Sequence, residues 1–276
     1  MRYFVYDVFT DTPFGGNQLA IIPDAGDLTD AQMQTIAREF NFSETSFVLP
    51  PKDPGHTARV RYFTPARELP FAGHPTIGTA VMMADENGIE DMVLELGVGP
   101  LSCRAAEGCA SFFTEHPLEV KGHPAAELVA HAMGCEIGNL RSVPVLASLG
   151  GDFVYAQLDN RETLSKLCPD IEAMREGAAL YPGNHDFAVY PYVLEGNTVH
   201  ARMFAPLDGI PEDPATGSAA APLAALLCKT LGRRVEITVH QGDDMGRPSR
   251  IALTADQDRV TVTGKAVKVM EGTLFL

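Results

Sequence analysis

"RYFTPARELPFAGHPTIGTA" at residues 61–80 and "RMFAPLDGIPEDPATGSA" at residues 202–219 read as two copies of one pattern. Each opens on Arg-x-Phe-x-Pro and closes on Pro-x-x-Gly-[Thr/Ser]-Ala. A two-residue gap aligns His74 with Asp213, Pro75 with Pro214, Gly78 with Gly217 and Thr79 with Ser218. Both copies run from a strand-like stretch through a loop into a helical one, and that shared context argues for duplication over chance. A duplicated chain predicts two similar lobes with a cleft between them, where ligands commonly bind.

The rest of the chain fits this frame. Residues 2–9 are apolar, β-branched and aromatic, as in a strand. In 28–40, Met33, Ile36, Ala37 and Phe40 fall on one helical stripe, and Thr29 with Gln32 makes a capping box. Further helices are expected over 75–87, 124–133, 161–176 and 214–231. Strands are expected over 58–63, 152–158, 186–194, 198–204, 234–240, 250–254, 259–263 and 266–275. Antiparallel-looking strands with one long helix per half predict an α+β fold rather than a doubly wound sheet.

The 276 residues suffice for one large domain or two of average size. A formal net charge of −15 disfavours nucleic acid as a partner. It does not forbid a small anionic substrate, because helix starts are locally positive. No apolar run approaches the ~20 residues needed to span a bilayer, and the N-terminus lacks a secretory signal pattern. Five scattered cysteines without a CxxC point to reduced thiols and a cytoplasmic setting.

In both repeats a Pro and a Gly lead into a helix. Pro near the first helical position loses nothing by lacking an N–H, and the free N–H groups there carry roughly half a positive charge. The two helix starts are therefore candidate cradles for a carboxylate or an oxyanion. The alternative is a pair of ordinary helix starts. Glu44, within "NFSETSF" (41–47), adjoins the apolar Phe47-Val48-Leu49; partial desolvation there would raise its pKa toward acid/base work. Equally, its Ser and Thr neighbours cap a turn. His74 is a candidate proton carrier or hydrogen-bond donor, and Asp213 a candidate orienting or binding group; each also suits a cap. No GxSxG, GxGxxG or P-loop pattern occurs, so no nucleotide cofactor is expected. "HQGDDMGRP" (240–248) has turn composition, and its His240, Asp243 and Asp244 read as solvated groups rather than a metal site.

"DVFTDTPFGGN", "FNFSETSFV", "FTPARELPFAGHPTIGTA", "FAPLDGIPEDPATGSAAAPLAA" and "QGDDMGRPS" together resemble the PhzF-like isomerases, relatives of the phenazine-biosynthesis enzyme that share the diaminopimelate-epimerase type of fold. The resemblance spans essentially the whole chain. It implies two pseudo-symmetric lobes, residues 1–116 with the final strands 266–276, and 117–265. Each would be a barrel-like, mostly antiparallel sheet around a central helix, with the active site between lobes. It places the acid/base on Glu44, pocket residues on His74, Asp213, Gly217 and Ser218, and the opening-loop Asn on Asn17; Ser43 and Gly73 join as substrate-binding candidates. Gln18 departs from the Pro often found next. The implied chemistry is a cofactor-free, metal-free proton transfer on a small carboxylate-bearing substrate, in a homodimer. Related two-base racemases carry a cysteine at each helix start; here the corresponding stretches, around Ala72 and Pro214, hold none.

Overall fold

A computed structural model describes residues 1–276, which divide into two compact units, Met1–Phe113 with Val262–Leu276 and Thr114–Thr261. The first unit opens with β1 (Arg2–Val8) and β2 (Asn17–Ile22), an antiparallel pair. β2 is short, two amides followed by four consecutive apolar residues, and so shows no period; the sequence reading has no strand there. α1 (Asp30–Phe40) starts on the expected capping box, with the Thr29 side chain accepting from Gln32 N and the Gln32 side chain accepting from Thr29 N. Met33, Ile36 and Ala37 turn inward as the stripe requires and pack on Phe47 and Phe63. Then come β3 (Glu44–Leu49), β4 (Ala58–Phe63), the two-residue β5 (Glu68–Leu69), α2 (Gly73–Asn87), β6 (Asp91–Leu96), β7 (Gly99–Ala106) and β8 (Cys109–Thr114).

The sheet of this unit closes on itself. Its order is β1-β2-β3-β4-β6-β7-β8 followed by the C-terminal strand, which pairs back onto β1. α2 is buried on all sides from Gly73 to Met83 and contacts β1, β2, β3 and β7. An α-helix apolar all round belongs in a core, and here the barrel is that core. Gly78 permits the fit: a Cβ there would lie 2.5 Å from Leu19 Cδ2 and 2.7 Å from Val8 Cγ2. Overpacking costs about 1–3 kcal/mol, against a helix-propensity gain of about 1 kcal/mol. Gly78→Ala is therefore expected to lower stability in urea unfolding despite sitting in a helix.

The second unit contains β9 (Glu119–Gly122), α3 (Ala126–Met133), β10 (Val145–Ser148), β11 (Asp152–Gln157), α4 (Arg161–Lys166), α5 (Ile171–Leu180), β12 (Val189–Glu195), β13 (Thr198–Ala201), α6 (Gly217–Leu231), β14 (Val235–Gln241) and β15 (Ser249–Ala255). The C-terminal strand, β16, runs Val260–Thr273 without the break expected near 264. The single helix expected over 161–176 is two helices. Pro169 has no N–H to give and bars helical geometry at Cys168, so the chain turns before α5 begins. α6 contacts β10 and β11 as well as β14 and β15, so the sheet curls around this helix too. No helix is long and apolar enough to cross a membrane.

Strand pairing repeats between the units. In the first, β1–β2 is antiparallel, β2–β3 parallel, β3–β4 antiparallel, β4–β6 parallel and β6–β7 antiparallel. In the second, β10–β11, β11–β12, β12–β13, β13–β14 and β14–β15 follow the same alternation. Each parallel step spans a helical crossover, and the second one in each unit is the central helix. α2 and α6 are both 15 residues long and both end on a left-handed glycine, Gly88 and Gly232. The helices thus correspond from Gly73 and Gly217 onward. The motif alignment, which paired Gly78 with Gly217, is displaced by five residues. His74 matches Ser218 rather than Asp213, and neither Pro75 nor Pro214 stands at the first helical position.

Candidate functional site

Four of the expected residues in the first unit meet. Asn17 opens β2, Glu44 opens β3, and the parallel register sets Leu19 beside Glu44. His74 is the second residue of α2. Ser43 Oγ donates to Asn17 Oδ1 at 3.2 Å, Asn17 Nδ2 lies 3.5 Å from His74 Nδ1, and Glu44 Oε2 lies 3.3 Å from the same nitrogen. His74 is buried, while the Glu44 side chain keeps 14% of its surface exposed. A carboxyl and an imidazole nitrogen at this distance hold one proton between them in either direction. An ionised Glu44 accepts from Nδ1–H, and a protonated Glu44 donates to the Nδ1 lone pair.

Burial pushes the His74 imidazole down to about 3, opposed by the Gln18 backbone beside it. An unfolded histidine titrates near 6.5, so below that pH the unfolded chain takes a proton that the folded chain refuses. The resulting stability is complete above about pH 6.5 and is lost as pH falls toward 3. The ceiling is about 1.4 kcal/mol per pH unit, and the nearby Glu44 carboxylate reduces it. His74→Gln is expected to flatten this limb when urea unfolding is measured from pH 7 to pH 4.

In the second unit Asp213 lies in the loop ahead of α6. Its Oδ2 accepts from Thr216 Oγ1 at 2.5 Å, and its N–H donates to Met203 O at 3.1 Å. Gln241, at the end of β14, ties this loop together. Its Nε2 donates to Asp213 O at 2.7 Å and to Thr216 Oγ1 at 2.9 Å. Its Oε1 accepts from Tyr190 OH at 2.9 Å and from Thr216 N at 3.3 Å. Gly242 then turns at φ 77°, where a Cβ would collide with the carbonyl oxygens of Arg247 and Pro214. Ser249 Oγ, 2.8 Å from Pro214 O and 2.9 Å from Gln241 O, closes the cluster. Gln241, Thr216, Tyr190 and Ser249 are absent from the sequence-derived site list. The "QGDDMGRPS" and "DPATGS" segments contain three of them, but only strand pairing shows that they support Asp213.

Neither central helix has a side-chain cap. Ala72 precedes α2 and has nothing to offer; Thr216 precedes α6, and its hydroxyl serves Asp213 instead. By contrast, Thr29, Asn160 and Asp170 cap α1, α4 and α5. Helix geometry leaves the first N–H groups of α2 and α6, at Gly73–His74 and Gly217–Ser218, without intrahelical acceptors. An anion at such a start gains about 0.3–1 kcal/mol, and up to ~2 kcal/mol when partly buried. Asn184 and His185 are structural: Asn184 Oδ1 accepts from Asp152 N at 2.8 Å, and His185 Nδ1 lies 2.8 Å from Asp208 Oδ2.

The repeated Arg-x-Phe also has a structural reason. Arg61 forks onto Glu68 at 2.7 and 2.6 Å and lies over the Phe63 ring at 5.1 Å. Arg202 forks onto Glu212 at 2.7 and 2.8 Å and lies over Phe204 at 4.6 Å. In each unit the guanidinium pins the loop that leads to the central helix.

Comparison with known proteins agrees with this architecture. The chain is 39% identical to an uncharacterized isomerase of Mesorhizobium japonicum, spanning 100% of this chain and 99% of the relative. It is 37% identical to trans-2,3-dihydro-3-hydroxyanthranilate isomerase of Pseudomonas aeruginosa, spanning 100% and 99%. A PhzF-family phenazine biosynthesis protein of Bacillus anthracis superposes with a TM-score of 0.89 at 26% identity, covering 100% of this chain and 99% of that one. Residues 6–272 match the profile of the phenazine biosynthesis-like proteins, PhzC-PhzF, and the chain belongs to that family.

Proposed function

We propose that this chain, an isomerase of the phenazine biosynthesis-like family, moves a proton on a small carboxylate-bearing substrate with Glu44 as acid/base and without a cofactor. The observation that carries this reading is the 3.3 Å contact between Glu44 Oε2 and His74 Nδ1. The Glu44 carboxylate takes a proton from an acidic carbon; the C–H electron pair moves into the adjoining double-bond system, and the carboxylic acid returns the proton at another carbon. His74 bonds Glu44 in both protonation states, and Asp213 serves as a second proton carrier. In the first unit the Gly73 N–H holds the substrate carboxylate while Asn17 and Ser43 orient it; in the second, Gly217 and Ser218 are the substrate-binding candidates. The relatives named as trans-2,3-dihydro-3-hydroxyanthranilate isomerases support a small unsaturated acid as the substrate class. The unpaired cysteines fit action in the cytoplasm. A homodimer is the assembly proposed, checked by sedimentation.

A racemase or epimerase also begins by removing a proton. The two-thiol form of that chemistry is disfavoured, because no cysteine stands in the first turn of α2 or α6. Incubation with trans-2,3-dihydro-3-hydroxyanthranilate and related unsaturated acids, followed by proton NMR and chiral chromatography, separates the readings. A shifted double bond is expected. Inversion at an unmoved stereocentre would make it a racemase, and saturable binding without any product would make it a binding protein.

A further inference from the structure

His200, His240 and Asp243 converge on one face of the second unit's sheet, away from α6. β13 and β14 are parallel with His200 directly beside His240, and the two rings stand edge to face with centroids 5.1 Å apart. Val239 and Gln241, the neighbours of His240 along β14, are buried on the opposite face. Asp243 enters the short turn that follows Gly242. One ligand atom from each of the three residues lies within 4.8 Å of the other two. The second observation is at His200, only 8% exposed, whose Nδ1 is buried without a hydrogen-bond partner. Its other nitrogen, Nε2, lies 3.6 Å from Glu195 Oε2. A proton held on Nε2 toward that carboxylate leaves a lone pair on Nδ1, the arrangement by which an outer carboxylate orients a metal-bound histidine.

We propose that His200, His240 and Asp243 bind a zinc-type divalent ion, with Glu195 as the outer carboxylate and one coordination position left for water. Two imidazoles and a carboxylate are a donor set that such ions accept. Bonds of about 2.0–2.2 Å require the three groups to draw closer than they stand, and Asp243, on an exposed turn, is the one free to move. Arg250 competes for it. This residue faces His240 across β14–β15 and places Nη1 3.5 Å from Asp243 Oδ1, but it is half exposed and able to swing outward. Bound here, the ion would fix β14 directly behind Gln241 and so steady the loop that carries Asp213. It touches none of the groups proposed for proton transfer, so the two proposals stand or fall separately.

The test is titration of the chelator-stripped full chain with Zn²⁺ by calorimetry, paired with the absorption spectrum of the Co²⁺ form. One equivalent should bind saturably and raise the melting temperature. The Co²⁺ spectrum should lack a thiolate charge-transfer band. His240→Ala and the exposed Asp243→Asn should each weaken binding at least tenfold while leaving the unfolding transition of the stripped protein cooperative. Absence of saturable binding, unchanged affinity in Asp243→Asn, or a thiolate band placing the ion on the cysteines would overturn the site.

Discussion

Replacing Glu44 by Gln is expected to lower kcat by about 10²–10⁴-fold, the usual contribution of a positioned acid/base, while KM changes by only about a few-fold. Gln keeps the length of Glu and still reaches His74 Nδ1, 3.3 Å away in the parent, but it cannot exchange a proton. Its effect therefore falls on the chemical step rather than on binding. Glu44 opens β3 with its side chain partly exposed, so the variant should fold, and its melting curve should match that of the parent. Glu44→Asp retains the carboxylate one methylene short and should lose less than Gln. Equal losses in both would mean that position 44 matters for shape and not for the proton.

Arg202→Ala is the change expected to cost most in stability, about 3–5 kcal/mol. The guanidinium is only 11% exposed and satisfies Glu212 through two bonds. It also donates to the carbonyls of Leu164, Ser165 and Leu167 at 3.1, 3.2 and 3.1 Å. Removing it strands a largely buried carboxylate and takes a donor from three carbonyls at once. In thermal unfolding the loss corresponds to a fall of roughly 10 °C or more. Arg61→Ala removes a similar fork, but its partners Asp30 and Glu68 are 82% and 42% exposed and can turn to water. It should cost less than half as much. Arg202→Lys keeps the charge without the planar fork and should fall between parent and Ala. Because Glu212 precedes Asp213, Arg202→Ala should also reduce turnover in the fraction that remains folded.

These two variants probe residues of different legibility. Glu44, His74 and Asn17 could be chosen from the sequence through their motifs, yet nothing in local sequence brings them together; the β2–β3 register and the start of α2 do that. The α1 capping box was readable because both partners lie within one turn. The motif alignment sets α2 and α6 five residues out of register, because Pro and Gly recur at different places in the two lead-in loops. β2 is hidden by its brevity, whereas the break between α4 and α5 is written in Pro169. The roles of Arg61 and Arg202 were invisible even though the Arg-x-Phe repeat itself was plain, since each acceptor is several residues along a loop of unknown course. Gln241 and His200 lay further out of reach. Their partners are set by strand pairing, and no periodicity records which strands will be neighbours.

The central claim is that Glu44 itself carries the substrate proton. Deuterium wash-in at the substrate's acidic carbon, followed by NMR in D₂O with parent and Glu44→Gln side by side, tests it most directly. The parent should exchange that position at least as fast as it forms product, and the Gln variant should exchange it no faster than buffer does. Exchange at the parental rate in Glu44→Gln would show that another group takes the proton.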